Sequence, residues 1–178
     1  MAEIAGLKLI VPSSVAGSGV SVSASGKVTF TAATTINING VFSSTYDNYL
    51  MVARFTMGTS DFGRIRYRAS GTDASASNYT TQHMNVNGSS VTGGRATESS
   101  FVFNYLSSGG PNGSHVYLYG PALAQPTAGR AVNVDGDSAA RIYENANTHS
   151  LSTAYDGLTV YTSTYGMTGS LTIYGLSQ

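Results

Sequence analysis

Hydrophobic residues return at every second position along much of this chain, most clearly in residues 41–57 (VFSSTYDNYLMVARFTM). There Tyr49, Met51, Ala53, Phe55 and Met57 share one side of an extended backbone, and Leu50, Val52, Arg54 and Thr56 share the other. Apolar side chains on both sides predict a strand inside a sheet, entered through the polar turn at residues 43–48. Shorter alternators follow the same rule: residues 27–31, 35–39, 64–69, 78–84, 101–106, 115–119, 130–134, 141–143, 158–162 and 170–174. Residues 101–106 and 115–119 are expected to form one hairpin, and 158–162 with 170–174 a second, with Leu158 and Val160 facing Leu171 and Ile173. Residues 58–63 read as a turn, 70–77 as a polar loop, and 85–97 as a loop or a weak hairpin around Asn87-Gly88. Roughly eight to ten short strands without an amphipathic helix predict an all-β fold, an antiparallel β-sandwich or jelly roll.

The start of the chain differs. Ile4, Leu7, Leu9, Ile10 and Val11 crowd into twelve residues closed by Pro12, and residues 13–26 (SSVAGSGVSVSASG) are dominated by Ser and Gly. The expected organisation is an extended N-terminal arm with a flexible or weakly extended connector (1–26), then a single sandwich domain (27–178). Two roles for the arm fit its alternation equally: strand addition to a neighbouring subunit or particle, or a first strand of its own sheet. The first makes Ile4, Leu7, Leu9, Ile10 and Val11 assembly or anchoring residues.

Composition narrows the function. Charged residues are 10% of the chain, against a usual level of about 25%, and nine basic and nine acidic residues cancel. Hydroxyl and amide groups therefore carry solubility, and a Tyr-rich, neutral surface suits contact with another molecule. Nucleic acid is not an expected partner, because no basic patch interleaved with aromatics is present. Without cysteine there is no disulfide or thiolate metal site. No apolar run approaches the roughly 18 residues of a membrane span, and no segment reads as a secretory leader, so synthesis in the cytoplasm without membrane insertion is expected.

Arg64, Arg66 and Arg68 alternate with Ile65, Tyr67 and Ala69, so three guanidinium groups share one sheet face. They are candidates for an anion or partner contact, against the plainer reading of a solvated face whose stems cover apolar surface. Asp135-Gly136-Asp137 has oxygen ligands suited to a cation but lacks the later ligands of a calcium loop, and otherwise reads as a turn. His83, His115 and His149 are widely separated, and no nucleophile elbow or dinucleotide fingerprint accompanies them. An enzyme is not expected, nor a cofactor.

The order VFSSTYDNYLMVARF (41–55), RIRYRASGTDASASNYTTQ (64–82) and YDGLTVYTSTYGMTGSLTIYG (155–175) resembles the small β-sandwich virion proteins of tailed bacteriophages, which serve as capsid decoration or head-fibre proteins, tail-fibre tips and minor tail proteins. The resemblance covers roughly residues 38–178. It implies a non-enzymatic structural protein on the virion, partnered by itself as a homo-oligomer, a trimer in this family, and by other virion proteins. The alternative it carries is a tail-fibre tip that recognises a host-surface glycan through tips near residues 70–77, 87–94 and 109–114. The lack of coiled-coil heptads or collagen-like repeats favours a compact component over a fibre shaft.

Overall fold

In a computed structural model, which describes residues 6–106, 108–136 and 140–177, the chain is all-β, with no helix among the described residues. Among the described residues sixteen strands occur in order: β1 (Leu7–Ile10), β2 (Ser14–Ala16), β3 (Val20–Val22), β4 (Val28–Ala33), β5 (Thr35–Asn39) and β6 (Asn48–Met57). They continue with β7 (Asp61–Ala69), β8 (Thr72–Asp73), β9 (Tyr79–Asn87), β10 (Ser90–Glu98) and β11 (Phe101–Leu106). The last five are β12 (Asn112–Tyr119), β13 (Thr127–Asp135), β14 (Arg141–His149), β15 (Gly157–Tyr161) and β16 (Met167–Leu176). All pairings are antiparallel. The large sheet runs β10-β9-β14-β13-β12-β6-β16-β4-β3, with β1 also on β16; the small sheet runs β11-β7-β15-β5-β2, with β8 on β7.

The strand foreseen as central is central. β6 lies between β12 and β16, with Tyr49, Met51, Ala53, Phe55 and Met57 in the core between the sheets. Its entry turn is pinned by the Tyr49 hydroxyl, which accepts from Ser43 N at 2.8 Å and donates to Ser43 O at 2.9 Å. Opposite it, Ile36, Ile38, Ile65, Tyr67, Leu158 and Val160 supply the small sheet's share of the core. Burying these side chains contributes about 1.5–3 kcal/mol each, which makes the facing of two sheets the main stabilising event.

The expected hairpins are where pairing departs from expectation. β11 and β12 belong to different sheets, as do β15 and β16, so neither pair is a hairpin. Alternation sets which side of a strand is apolar, and that side is satisfied equally by a neighbour across the core. Leu158 and Val160 do share the core with Leu171 and Ile173, but from the opposite sheet. By contrast, residues 85–97 take the hairpin alternative, β9 to β10, turning at Gly88 with φ +59°.

The connector takes the extended alternative and is folded into both sheets, β2 on β5 and β3 on β4. Its glycines permit this. Gly17 and Gly19 sit at φ +143° and +71°, and a Cβ on either would strike a backbone carbonyl, of Thr35 or Thr31, at 2.2–2.3 Å. The arm is extended and takes the own-sheet alternative: Leu7, Lys8, Leu9 and Ile10 pair with Leu176, Gly175, Tyr174 and Ile173. Ile10 packs on the core, whereas Leu7, Leu9 and Val11 stay exposed. Ile4 lies outside the described residues.

Candidate functional site

Two surfaces of the large sheet stand out, one on each of its faces. On the outer face, cross-strand rows place Leu9, Tyr174, Leu50 and Tyr117 side by side, with Leu7, Leu176 and Tyr119 in the next row. Farther along the strands, Val52, His115 and Val132 form one row, and Val134, Ile142, Val86 and Val91 another. Val91 is 63% exposed, Val134 49% and Ile142 47%, so these apolar side chains are left uncovered by the described residues. Gly113 lacks the side chain that would fill the row between Arg54 and Val134, and leaves a shallow groove of about 360 Å³. On this face Arg130 Nε donates to Glu144 Oε1 at 2.8 Å, and Arg54 and Arg95 fall on the same face by register.

The inner face is apolar over β4, β16, β6 and half of β12, with Ala131, Tyr143 and Tyr79 farther on. Among these lie Ser114, Asn133, Asn145, Asn147 and Thr81, all buried. They bond to one another and to the backbone: Asn104 Nδ2 donates to Ser114 Oγ, Asn133 and Asn145 both donate to Phe103 O, and Thr81 donates to Asn147, while Asn104 Oδ1 and Asn133 Oδ1 have no partner among the described residues. β11, the edge strand of the small sheet, lies over β13 and β14. Because the large sheet has more strands, β9 and β10 project past this edge, and their inner face forms one wall of a cleft of about 320 Å³.

A bulge in β11 shapes the other wall. Its register against β7 shifts between Val102 and Asn104, so Phe103 and Asn104 are both fully buried although adjacent. The following residue, Tyr105, is thereby turned off the core to the sheet edge, where it meets Phe62 edge to face with centroids 5.2 Å apart. Arg141 from β14 places its guanidinium 5.3 Å from the Tyr105 ring. Across the cleft His83 stacks on Tyr143 at 5.2 Å. Gly94 opposite allows it: a Cβ there would lie 2.9 Å from His83 Cε1. Burial, then the charge of Glu98, pushes the Tyr143 phenol up to about 12, so the ring stays neutral. Asn85 and Thr92 complete the lining as directly paired residues of β9 and β10.

The three arginines do share one face of β7, but each is engaged. Arg68, 8% exposed, donates to Asn37, Asn39, Asp73, Thr159 and Gly71 O, and so joins four strands and a turn of the small sheet. Arg66 donates to Ser99 and lies 4.7 Å from the Tyr161 ring centroid; Arg64 reaches Ser163 Oγ at 2.9 Å and Asp61 at 3.6 Å. Asp135 is buried and paired with Arg141 at 3.7 Å, whereas Asp137 lies outside the described residues. His149 is a core residue, bonded to Tyr155 Oη at 2.6 Å and stacked on Tyr79 at 4.1 Å.

Residues 58–63 were expected to be a turn, so Phe62 gave no signal as a cleft residue, and His83 was noticed only as an isolated histidine. Gly93-Gly94 inside an alternating stretch is the local clue to a close approach. No family model and no curated protein matches the chain. Among solved structures it is similar to the SPRY domain of human HERC1, at 10% sequence identity and a TM-score of 0.34, over 97% of this chain and 99% of that one.

Proposed function

We propose that this chain is a non-enzymatic structural protein of a tailed-bacteriophage virion surface, and that copies of it assemble through the outer face of the large sheet. The observation that carries assembly is that face: aliphatic and tyrosine side chains occur on it from Leu7 on β1 to Val91 on β10, uncovered by the other described residues. Its occupant is a second copy. Seven strands with about seven residues of length at about 3.3 Å each, and the shorter β1, at about 4.8 Å spacing make a face of roughly 840 Å², so two copies bury on the order of 1,700 Å². That matches a standard stable interface. The Arg130–Glu144 pair cancels one charge of the face, on which Arg54 and Arg95 also lie. Leu7 and Leu9 thus serve assembly from within their own sheet, as part of this face. The virion setting rests on the resemblance of residues 41–55, 64–82 and 155–175 to phage sandwich proteins.

Two experiments test the two halves. Light scattering should give a multiple of the 18.4 kDa chain mass. Gold-labelled antibody against the chain should decorate purified virions; label at regular capsid sites fits a decoration protein, and label confined to the tail tip fits the receptor-binding alternative.

A further inference from the structure

Asn-Gly occurs three times in the chain, at residues 39–40, 87–88 and 112–113. The pair is chemically labile because glycine has no Cβ to shield its amide nitrogen from the carboxamide carbon of the preceding asparagine. Reaction requires that carboxamide to rotate onto the glycine nitrogen, and water must reach the product. The fold treats the three pairs differently.

Asn112 and Gly113 lie inside β12, paired on one side with Phe55 and Arg54 of β6 and on the other with Asp135 and Val134 of β13. Asn112 is buried, and its Nδ2 donates to Gly110 O. Asn39 is held at both ends of its carboxamide: Nδ2 donates to Ser14 Oγ at 3.0 Å, and Oδ1 accepts from Arg68 Nε at 3.1 Å. Its backbone is tied as well, since Ser13 N donates to Asn39 O at 2.9 Å. At both places the reaction has to break bonds that the fold has made.

Asn87 is exposed, and a Cβ built on Gly88 meets nothing within 4 Å. Pairing of β9 with β14 stops at Val86, which leaves Asn87 opposite Ser90 of the edge strand β10. A terminal pair of this kind opens at a small fraction of the global unfolding cost. Gly88 has φ +59° at the first position of a two-residue turn, where glycine is favoured. The turn therefore asks for glycine at the position where the chemistry does.

We infer that Asn87 is a site of spontaneous deamidation, with Gly88 as the intramolecular nucleophile and water as the only co-reactant. The Gly88 amide nitrogen, deprotonated by solvent base, bonds to Asn87 Cγ and closes a five-membered succinimide; the Cγ–Nδ2 bond breaks, and Nδ2 leaves as ammonia with a proton from water. Water then opens the ring. Attack at Cγ leaves an aspartate, and attack at the main-chain carbonyl leaves an isoaspartate whose chain runs through Cγ. Either product adds one carboxylate to a chain of zero net charge. The isoaspartate also lengthens the turn by one backbone carbon and loosens the closing Asn87–Ser90 pair, next to which Val86 and Val91 line the outer face.

The test is peptide mapping by tandem mass spectrometry of the full chain after storage at physiological temperature and mildly alkaline pH, beside the same chain in urea. Isoaspartate is counted by isoaspartyl methyltransferase labelling. In the folded protein residue 87 should deamidate at least about tenfold faster than residues 39 and 112, and urea should bring the three rates within about threefold of one another. Asn87→Gln, which has to close a larger ring, should abolish the folded-state label and leave the circular dichroism unchanged. Residues 39 or 112 reacting as fast as 87 in the folded chain, a difference that persists in urea, or a label retained by Asn87→Gln would each overturn the inference.

Discussion

Replacing Arg68 by Met removes a guanidinium that is 8% exposed and donates to partners on β5, β8 and β15 as well as to the turn at Gly71. The substitution keeps much of the stem's packing but strands the acceptors of Asn37 and Asn39 and weakens the environment of Asp73. Breaking a buried ion pair from one side costs about 3–5 kcal/mol. Asp73 retains 24% side-chain exposure and a bond from Thr159, so its charge is partly solvated and the lower end, about 3 kcal/mol, is expected. For a chain of this size each kcal/mol shifts the midpoint by about 2–4 °C, so Arg68→Met should melt about 6–12 °C below wild type. Arg64→Met is the internal control: its contacts to Ser163 and Asp61 lie at the rim, and less than about 1 kcal/mol should be lost. Thermal and urea unfolding followed by circular dichroism read both. Equal melting temperatures for the two variants would refute the view that Arg68 ties the small sheet together.

Tyr49→Phe leaves Ser43 N and O without their buried partner and should cost about 1–2 kcal/mol, lowering the melting temperature by about 2–8 °C. A change below 1 °C would mean that the turn before β6 holds without the hydroxyl. His149 adds a pH dependence: burial lowers its pKa below the ordinary 6.5, so the unfolded chain takes up the proton first as pH falls. Stability from this group is complete above about pH 6.5 and is lost below it, with a limiting slope of about 1.4 kcal/mol per pH unit. Urea midpoints at pH 5 and 7.5 should therefore converge in His149→Gln relative to wild type; an unchanged difference would contradict the assignment.

Strand existence was legible because the core needs apolar side chains at every second position, and β6 and β16 supply them without exception near their centres. Strand partners were not, since a residue such as Leu158 is buried equally well by a hydrogen-bonded neighbour or by one across the core. For the connector, composition left flexible and extended chain open: Ser and Gly in residues 13–26 usually mean solvation, but Gly17 and Gly19 occupy crowded, positive-φ positions that only glycine fills. β14 was expected to end near Tyr143, because Asn145, Asn147 and His149 look like loop residues; they extend it by bonding inside a polar half of the sandwich. The cleft was the least visible element. It depends on unequal sheet widths and on one bulge at Phe103, neither of which leaves a periodic trace.

Assembly through the outer face of the large sheet is tested most directly by comparing the solution mass of wild type with that of Val134→Glu/Ile142→Glu, two exposed positions whose substitution leaves the core untouched. Multi-angle light scattering should give a multiple of 18.4 kDa for wild type and 18.4 kDa for the folded double variant. A wild-type chain that stays at 18.4 kDa at high micromolar concentration, or a double variant that keeps the full oligomeric mass, would contradict the account.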